Sequence, residues 1–142
     1  MIAVDTNVLV YAHRAELAKH EAARSRLVEL AEAPSAWAIP VFCIGEFLRL
    51  ISHPKLFDPP YSSTEGCRAL ERILQSPSLQ ILFPGPAYRE LLTQAVREAE
   101  AIGNLVFDAQ IVAVCREAGA RALLTEDRDF GRFPGFPTVR LD

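Results

Sequence analysis

Short apolar runs alternate with longer amphipathic stretches from one end of the chain to the other. That alternation constrains the fold more than any other feature. Ile2 to Asp5, Trp37 to Ile39, Leu79 to Phe83, Ala122 to Leu124 and Thr138 to Leu141 read as strands. Between them lie helical stretches: VLVYAH behind a Thr6 or Asn7 cap, Lys19 to Ala33, Val41 to Ser52, Thr64 to Gln75, Tyr88 to Ile102 and Asn104 to Ala118. Pro34, Gly103 and Gly119 mark helix ends, because proline breaks the helical ladder and glycine accepts the left-handed turn that closes it. Strands alternating with helices join in parallel, since each helix serves as the crossover. The expectation is an α/β fold of three layers, with a central, mostly parallel sheet of about five strands flanked by helices. The 142 residues suit one domain over 1–142, with no repeat and no linker.

Composition excludes several classes. Hydrophobic residues make up 50% and charged residues 23%, which is not the balance of a disordered chain. No apolar run reaches the roughly 18 residues that a membrane span needs, and MIAVD opens on a strand pattern rather than a signal peptide. Cys43, Cys67 and Cys115 are odd in number and widely spaced, which reads as reduced, core-filling thiols in a cytoplasmic protein.

Most acids fall on polar helix faces, Glu117 among them, and read as solvated. Three do not. Asp5 ends IAVD, Glu46 lies within PVFCIGEFLRLI, and Asp108 lies within NLVFDAQIVAV. An isolated ionised carboxylate in apolar surroundings costs several kcal/mol unless it is paired or bound to a cation. Each has a local explanation: a helix cap for Asp5, an ion pair with Arg49 for Glu46, a helix-dipole contact for Asp108. Their placement favours a shared one. Asp5 follows the first strand, Asp127 and Asp129 follow the strand ALL, and Glu46 and Asp108 lie early in helices that follow a strand or a turn. The carboxyl ends of parallel strands share one edge, where ligands bind.

Crowded carboxylates repel and must be neutralised by protons or cations. Oxygen-only ligands select Mg²⁺, with Mn²⁺ as a substitute, over zinc. His13, His20 and His53 are too scattered for a zinc site. No glycine-rich phosphate loop or activated nucleophile is present. Net charge is −3, but with the five clustered acids set aside, 13 remain against 15 lysines and arginines, so the rest of the chain is mildly basic. Carboxylate-held Mg²⁺ commonly serves phosphodiester hydrolysis.

VDTNVLVYA, VFCIGEFLRL, NLVFDAQIVAV and LLTEDRDFGRF, in that order and spacing, resemble the PIN-domain nucleases, and within them the VapC-type toxins. SHPKLFDPP is similar to a stretch in an actinobacterial branch of these toxins. The resemblance covers the whole chain. It implies a Mg²⁺-dependent endoribonuclease acting as the toxin of a type II toxin–antitoxin pair. It further implies cleavage of structured RNA such as tRNA or rRNA, a homodimer, and a small cognate antitoxin. Asp5, Glu46, Asp108 and Asp127 match the family's metal ligands, and Asp129 can take or share the role of Asp127. Asn7 and Thr125 match polar positions that order the site. Arg14, Arg49, Arg128 and Arg132 are candidates for phosphate contact at the rim. Dimerisation is expected through the helices at 64–75 and 88–102 or their neighbours.

Two other readings stand beside this one. One is a non-catalytic PIN-like module that binds RNA or protein. The other is an aspartyl-phosphate phosphatase, for which Asn7 stands where a second acid is needed and no late lysine follows.

Overall fold

The computed structural model describes residues 1–142. Five strands form one sheet: β1 (Ile2–Val4), β2 (Trp37–Pro40), β3 (Leu79–Leu82), β4 (Ala122–Leu124) and β5 (Thr138–Val139). Their order is β3-β2-β1-β4-β5, and all four pairings are parallel rather than mostly so. Every residue of β1, β2 and β4 is buried, as continuous apolar strands in the middle of a parallel sheet must be. The edge strands β3 and β5 carry the exposed polar residues Gln80 and Thr138.

Six helices flank the sheet: α1 (Thr6–His13), α2 (His20–Glu32), α3 (Val41–Ile51), α4 (Ser63–Leu74), α5 (Tyr88–Ala99) and α6 (Leu105–Ala118). A short 3₁₀ helix covers Arg128–Arg132. The chain moves from β1 outward to β2 and β3, then returns past β1 to β4 and β5. With right-handed crossovers, that path puts α1 to α4 on one face and α5 and α6 on the other. The strand order therefore reverses between β1 and β4, and a crevice opens at their carboxyl ends. The register pairs Val4 with Leu124, which sets Asp5 level with Thr125. The Asp5 amide bonds to the Leu124 carbonyl at 3.0 Å.

Local chemistry explains most boundaries. Ser62 and Glu65 form a reciprocal capping box at the start of α4. Gly119 ends α6 at φ 70°. Helix α5 stops at Ala99, short of the Gly103 stop. Glu100 itself takes the left-handed cap at φ 49°, and the Ala101 amide closes back on the Val96 carbonyl. Glu117 is not merely solvated: its two carboxylate oxygens accept the amides of Gly85 and Ala87, both at 2.8 Å, ahead of α5. Cys43 and Cys115 are buried, but Cys67 is exposed on α4 and fills no core. No helix is long and apolar enough to cross a membrane.

Candidate metal centre

Asp5 leaves β1 and caps α1. One of its carboxylate oxygens accepts the Thr6 amide at 2.8 Å, and the other accepts the Thr125 hydroxyl at 2.6 Å. The side chain is buried beside the Cys43 thiol, 3.8 Å away. Burial raises the Asp5 carboxyl to about 6 against the pull of both hydrogen bonds, and the charges of Glu46 and Asp127 push the same way. The helix cap considered from sequence is thus present. It accounts for one carboxylate oxygen and leaves the cost of the buried charge standing.

Thr125 joins the two strand ends. Besides donating to Asp5, its hydroxyl accepts the Asp127 amide at 3.0 Å and lies 3.4 Å from the Asn7 amide nitrogen. The Asn7 side-chain oxygen lies 3.4 Å from the Glu126 amide. Asp127 in turn accepts the Asp129 amide at 2.9 Å. The turn after β4 is anchored from below by buried Phe130 and Phe133, with Phe136 packed against Phe130 at 6.2 Å.

Glu126 anchors the same turn from the side. Its carboxylate meets Lys19, lies 3.5 Å from Arg140, and accepts the Leu141 amide at 3.0 Å. Burial pushes the Glu126 carboxyl upward, but Lys19, the Leu141 amide and Arg140 outweigh it and hold the carboxyl low. Sequence reading passed over Glu126 because its cationic partners lie more than a hundred residues upstream and fourteen downstream. Its place directly before Asp127 was the only signal.

Asp108 stands in the first turn of α6 and faces these acids. Carboxylate oxygens of Asp108, Asp127 and Asp129 all lie within 4.8 Å of one another. Partial burial raises the Asp108 carboxyl to about 7, helped by the charges of Asp127, Asp5, Asp129 and Glu46. Glu46, from α3, lines the same cleft of about 620 Å³ with Asp108, Asp127 and Asp129. It makes no ion pair with Arg49, although both line that cleft. None of the five acids has a salt-bridge partner.

Such a set suits a hard divalent cation. It offers oxygen donors only, it carries excess negative charge, and three of its carboxylates already converge. Both Asp127 and Asp129 take part in that convergence, whereas Asp5 lies beneath it and Glu46 forms the wall.

The arginines divide. Arg49 lines the cleft. Arg128 and Arg132 are exposed on the 3₁₀ helix and do not line it. Arg14 is buried and cannot serve as a phosphate contact at the rim. Its guanidinium lies over Phe57 at 4.4 Å and Tyr61 at 5.2 Å, donates to the Pro59 carbonyl at 2.9 Å, and pairs with Glu16 at 2.7 Å. It fastens the proline-rich segment after α3 to the end of α1. Asn104 and Phe107 also line the cleft and had no signal of their own, since Phe107 sits in an apolar run that reads as core.

The chain and its fold are similar to known proteins. The PIN domain family model matches residues 2–135. Ribonuclease VapC43 of Mycobacterium tuberculosis is 34% identical over 133 residues, spanning 94% of this chain and 90% of that one. The fold matches the sarcin–ricin loop cleaving toxin VapC20 of M. tuberculosis with a TM-score of 0.69, at 23% identity over 99% of both chains. It also matches a toxin–antitoxin complex from Klebsiella pneumoniae with a TM-score of 0.67, at 18% identity over 100% of this chain and 98% of that one.

Proposed function

The chain belongs to the PIN domain family, and on that premise we propose that it is a metal-dependent endoribonuclease, the toxin of a type II toxin–antitoxin pair. One observation carries the reading: five carboxylates without cationic partners meet where the strand order reverses, three of them within reach of a single ion. A non-catalytic module would have no reason to keep that repulsion.

In this reading Asp108, Asp127 and Asp129 hold Mg²⁺, with Asp5 and Glu46 adding charge behind and beside it. An ion held there would lower the pKa of water and offset the charge of the phosphodiester. Asp5 keeps the charge of the site high and, through Thr125, fixes the turn that carries Asp127. Asn7 holds the same turn through Thr125 and the Glu126 amide. Arg49 lines the cleft and would offer an RNA phosphate a bidentate cationic partner.

The cleft is open and lined mostly by polar groups, which suits a polymer that lies across it. Ribonuclease naming of a relative at 34% identity supports RNA as the substrate. The likeness to a sarcin–ricin loop cleaving toxin is consistent with a structured RNA, tRNA or rRNA. The likeness to a toxin–antitoxin complex supports a small cognate antitoxin as partner. The cytoplasm, a single nuclease domain over 1–142, and a homodimer through α4 and α5 complete the proposal.

The test is cleavage of a structured RNA by the purified protein. Cleavage should require Mg²⁺ or Mn²⁺, stop in EDTA, and fall at least roughly a hundredfold in Asp108→Asn, the scale of a lost metal contribution to the barrier. Full activity in EDTA, or in the variant, would overturn it.

A further inference from the structure

Large apolar side chains seldom stay in water without a reason when they sit in a functional cleft. Phe107 is 61% exposed and is the one hydrophobic residue lining the acidic cleft. It directly precedes Asp108 on α6. Asn104 lies three residues before Phe107 and four before Asp108, so all three share one helix face. The Asn104 side chain makes no hydrogen bond within the protein. Arg49 faces them from α3 and has no carboxylate partner.

A ring, a free amide and a free guanidinium thus line the same cleft as the proposed metal ligands. They correspond to the three parts of a nucleotide: the flat base, its hydrogen-bonding edge and its phosphate. A base stacks on an aromatic face, an asparagine amide both donates to and accepts from a base edge, and arginine grips phosphate. A cleft of about 620 Å³ has room for one nucleotide.

We infer that Phe107 and Asn104 form a base-binding subsite. A nucleobase beside the scissile phosphate stacks on the Phe107 ring with its edge against Asn104. This inference rests on the nuclease reading and adds the substrate's local form to it. A base can reach Phe107 only when it is unstacked from its neighbours.

The test separates stacking from cleavage. Phe107→Trp places an indole at the subsite, while the native Trp37 is 3% exposed and stays shielded from ligand. In EDTA, a ten-nucleotide single-stranded RNA should quench the fluorescence of Phe107→Trp. Linear polyphosphate, which has no bases, should not, and neither should a blunt RNA duplex. In cleavage, Phe107→Ala and Phe107→Leu should each raise KM about tenfold or more with kcat less affected, as loss of a stacked base does. Phe107→Tyr should restore the parent KM. Rescue by leucine would show that the ring is needed only as apolar cover, and equal quenching by polyphosphate would show that no base is bound. Either result overturns the inference. If Phe107→Ala instead turns a dimer into a monomer in light scattering and leaves KM unchanged, the ring belongs to a protein interface and the inference also fails. Quenching by single-stranded RNA in a protein that cleaves no RNA would uphold the subsite and reject the nuclease.

Discussion

Asp5→Asn is the substitution whose effect the structure specifies most closely, because the sign should depend on pH. In the metal-free protein the buried Asp5 carboxyl rises from 3.8 to about 6. A carboxyl whose folded pKa lies above its unfolded value favours folding when protonated. Its stabilising contribution is fully present below the unfolded pKa and is lost as pH rises through the folded one. The charge of Asp5 therefore destabilises the metal-free fold by about 3 kcal/mol at pH 8, roughly half of it already incurred by pH 5.

Asparagine removes that penalty and keeps the shape. It still accepts the Thr6 amide, but it presents N–H to a Thr125 hydroxyl that already has two donors near it. Losing that buried bond costs about 1–3 kcal/mol at every pH. In EDTA, Asp5→Asn should match or exceed the parent's stability at pH 8 and fall below it at pH 4.5. Added Mg²⁺ should stabilise the parent at pH 8 by mass action, by about 2.7 kcal/mol at a hundred times Kd, and the variant much less. Denaturant unfolding at the two pH values, with and without millimolar Mg²⁺, reads all four quantities. A cost to the variant that is the same at both pH values, with an undiminished Mg²⁺ increment, would refute the reasoning and leave Asp5 an ordinary helix cap.

Other outcomes follow from single contacts. Arg14→Ala should destabilise the fold by about 2–3 kcal/mol, through lost stacking on Phe57 and Tyr61 and the vacated Pro59 carbonyl. Arg14→Lys should recover little of it, since an ammonium group has no planar face to stack. Chemical denaturation measures both, and a neutral Arg14→Ala would show that the segment after α3 holds itself. Glu100→Gly should raise stability by up to about 1 kcal/mol, because the left-handed φ of 49° is strained for glutamate and open to glycine. An unchanged or lower melting temperature would contradict that. Glu126→Gln should weaken the hold of Lys19 and Arg140 on the turn and lower Mg²⁺ affinity without touching a proposed ligand. Calorimetric titration with Mg²⁺ checks it, and unaltered affinity would show that the turn needs no such anchor.

The layout of the site was legible in sequence for a definite reason. Asp5, Glu46 and Asp108 are lone charges in apolar runs, and both Asp5 and the acids of TEDRD stand at the ends of strands that the alternating pattern had already made parallel. Parallel strands put those ends on one edge, so the convergence followed from topology. What stayed hidden depends on partners distant in sequence. Arg14 reads as a surface charge until Phe57, Pro59 and Tyr61 fold over it. Glu126 gains its role only when Lys19 and the last strand arrive. The exposure of Phe107 and of Cys67 depends on how α6 and α4 rotate against their neighbours, which a short apolar run does not encode. The end of α5 was misplaced because Gly103 is the better left-handed residue, yet the chain turns at Glu100.

On the proposed function, these carboxylates would hold a divalent cation, which would supply the hydroxide that attacks the RNA phosphate. The cleft is lined by acids, Asn104, Phe107, Gly45 and a single cation, Arg49. Mass spectrometry of the fragments from one cleavage reaction in Mg²⁺ decides the matter. Attack by water leaves a linear monophosphate on one new end and a hydroxyl on the other. A 2′,3′-cyclic phosphate would mean that the ribose itself was the nucleophile, and that the acidic centre does not carry the chemistry assigned to it.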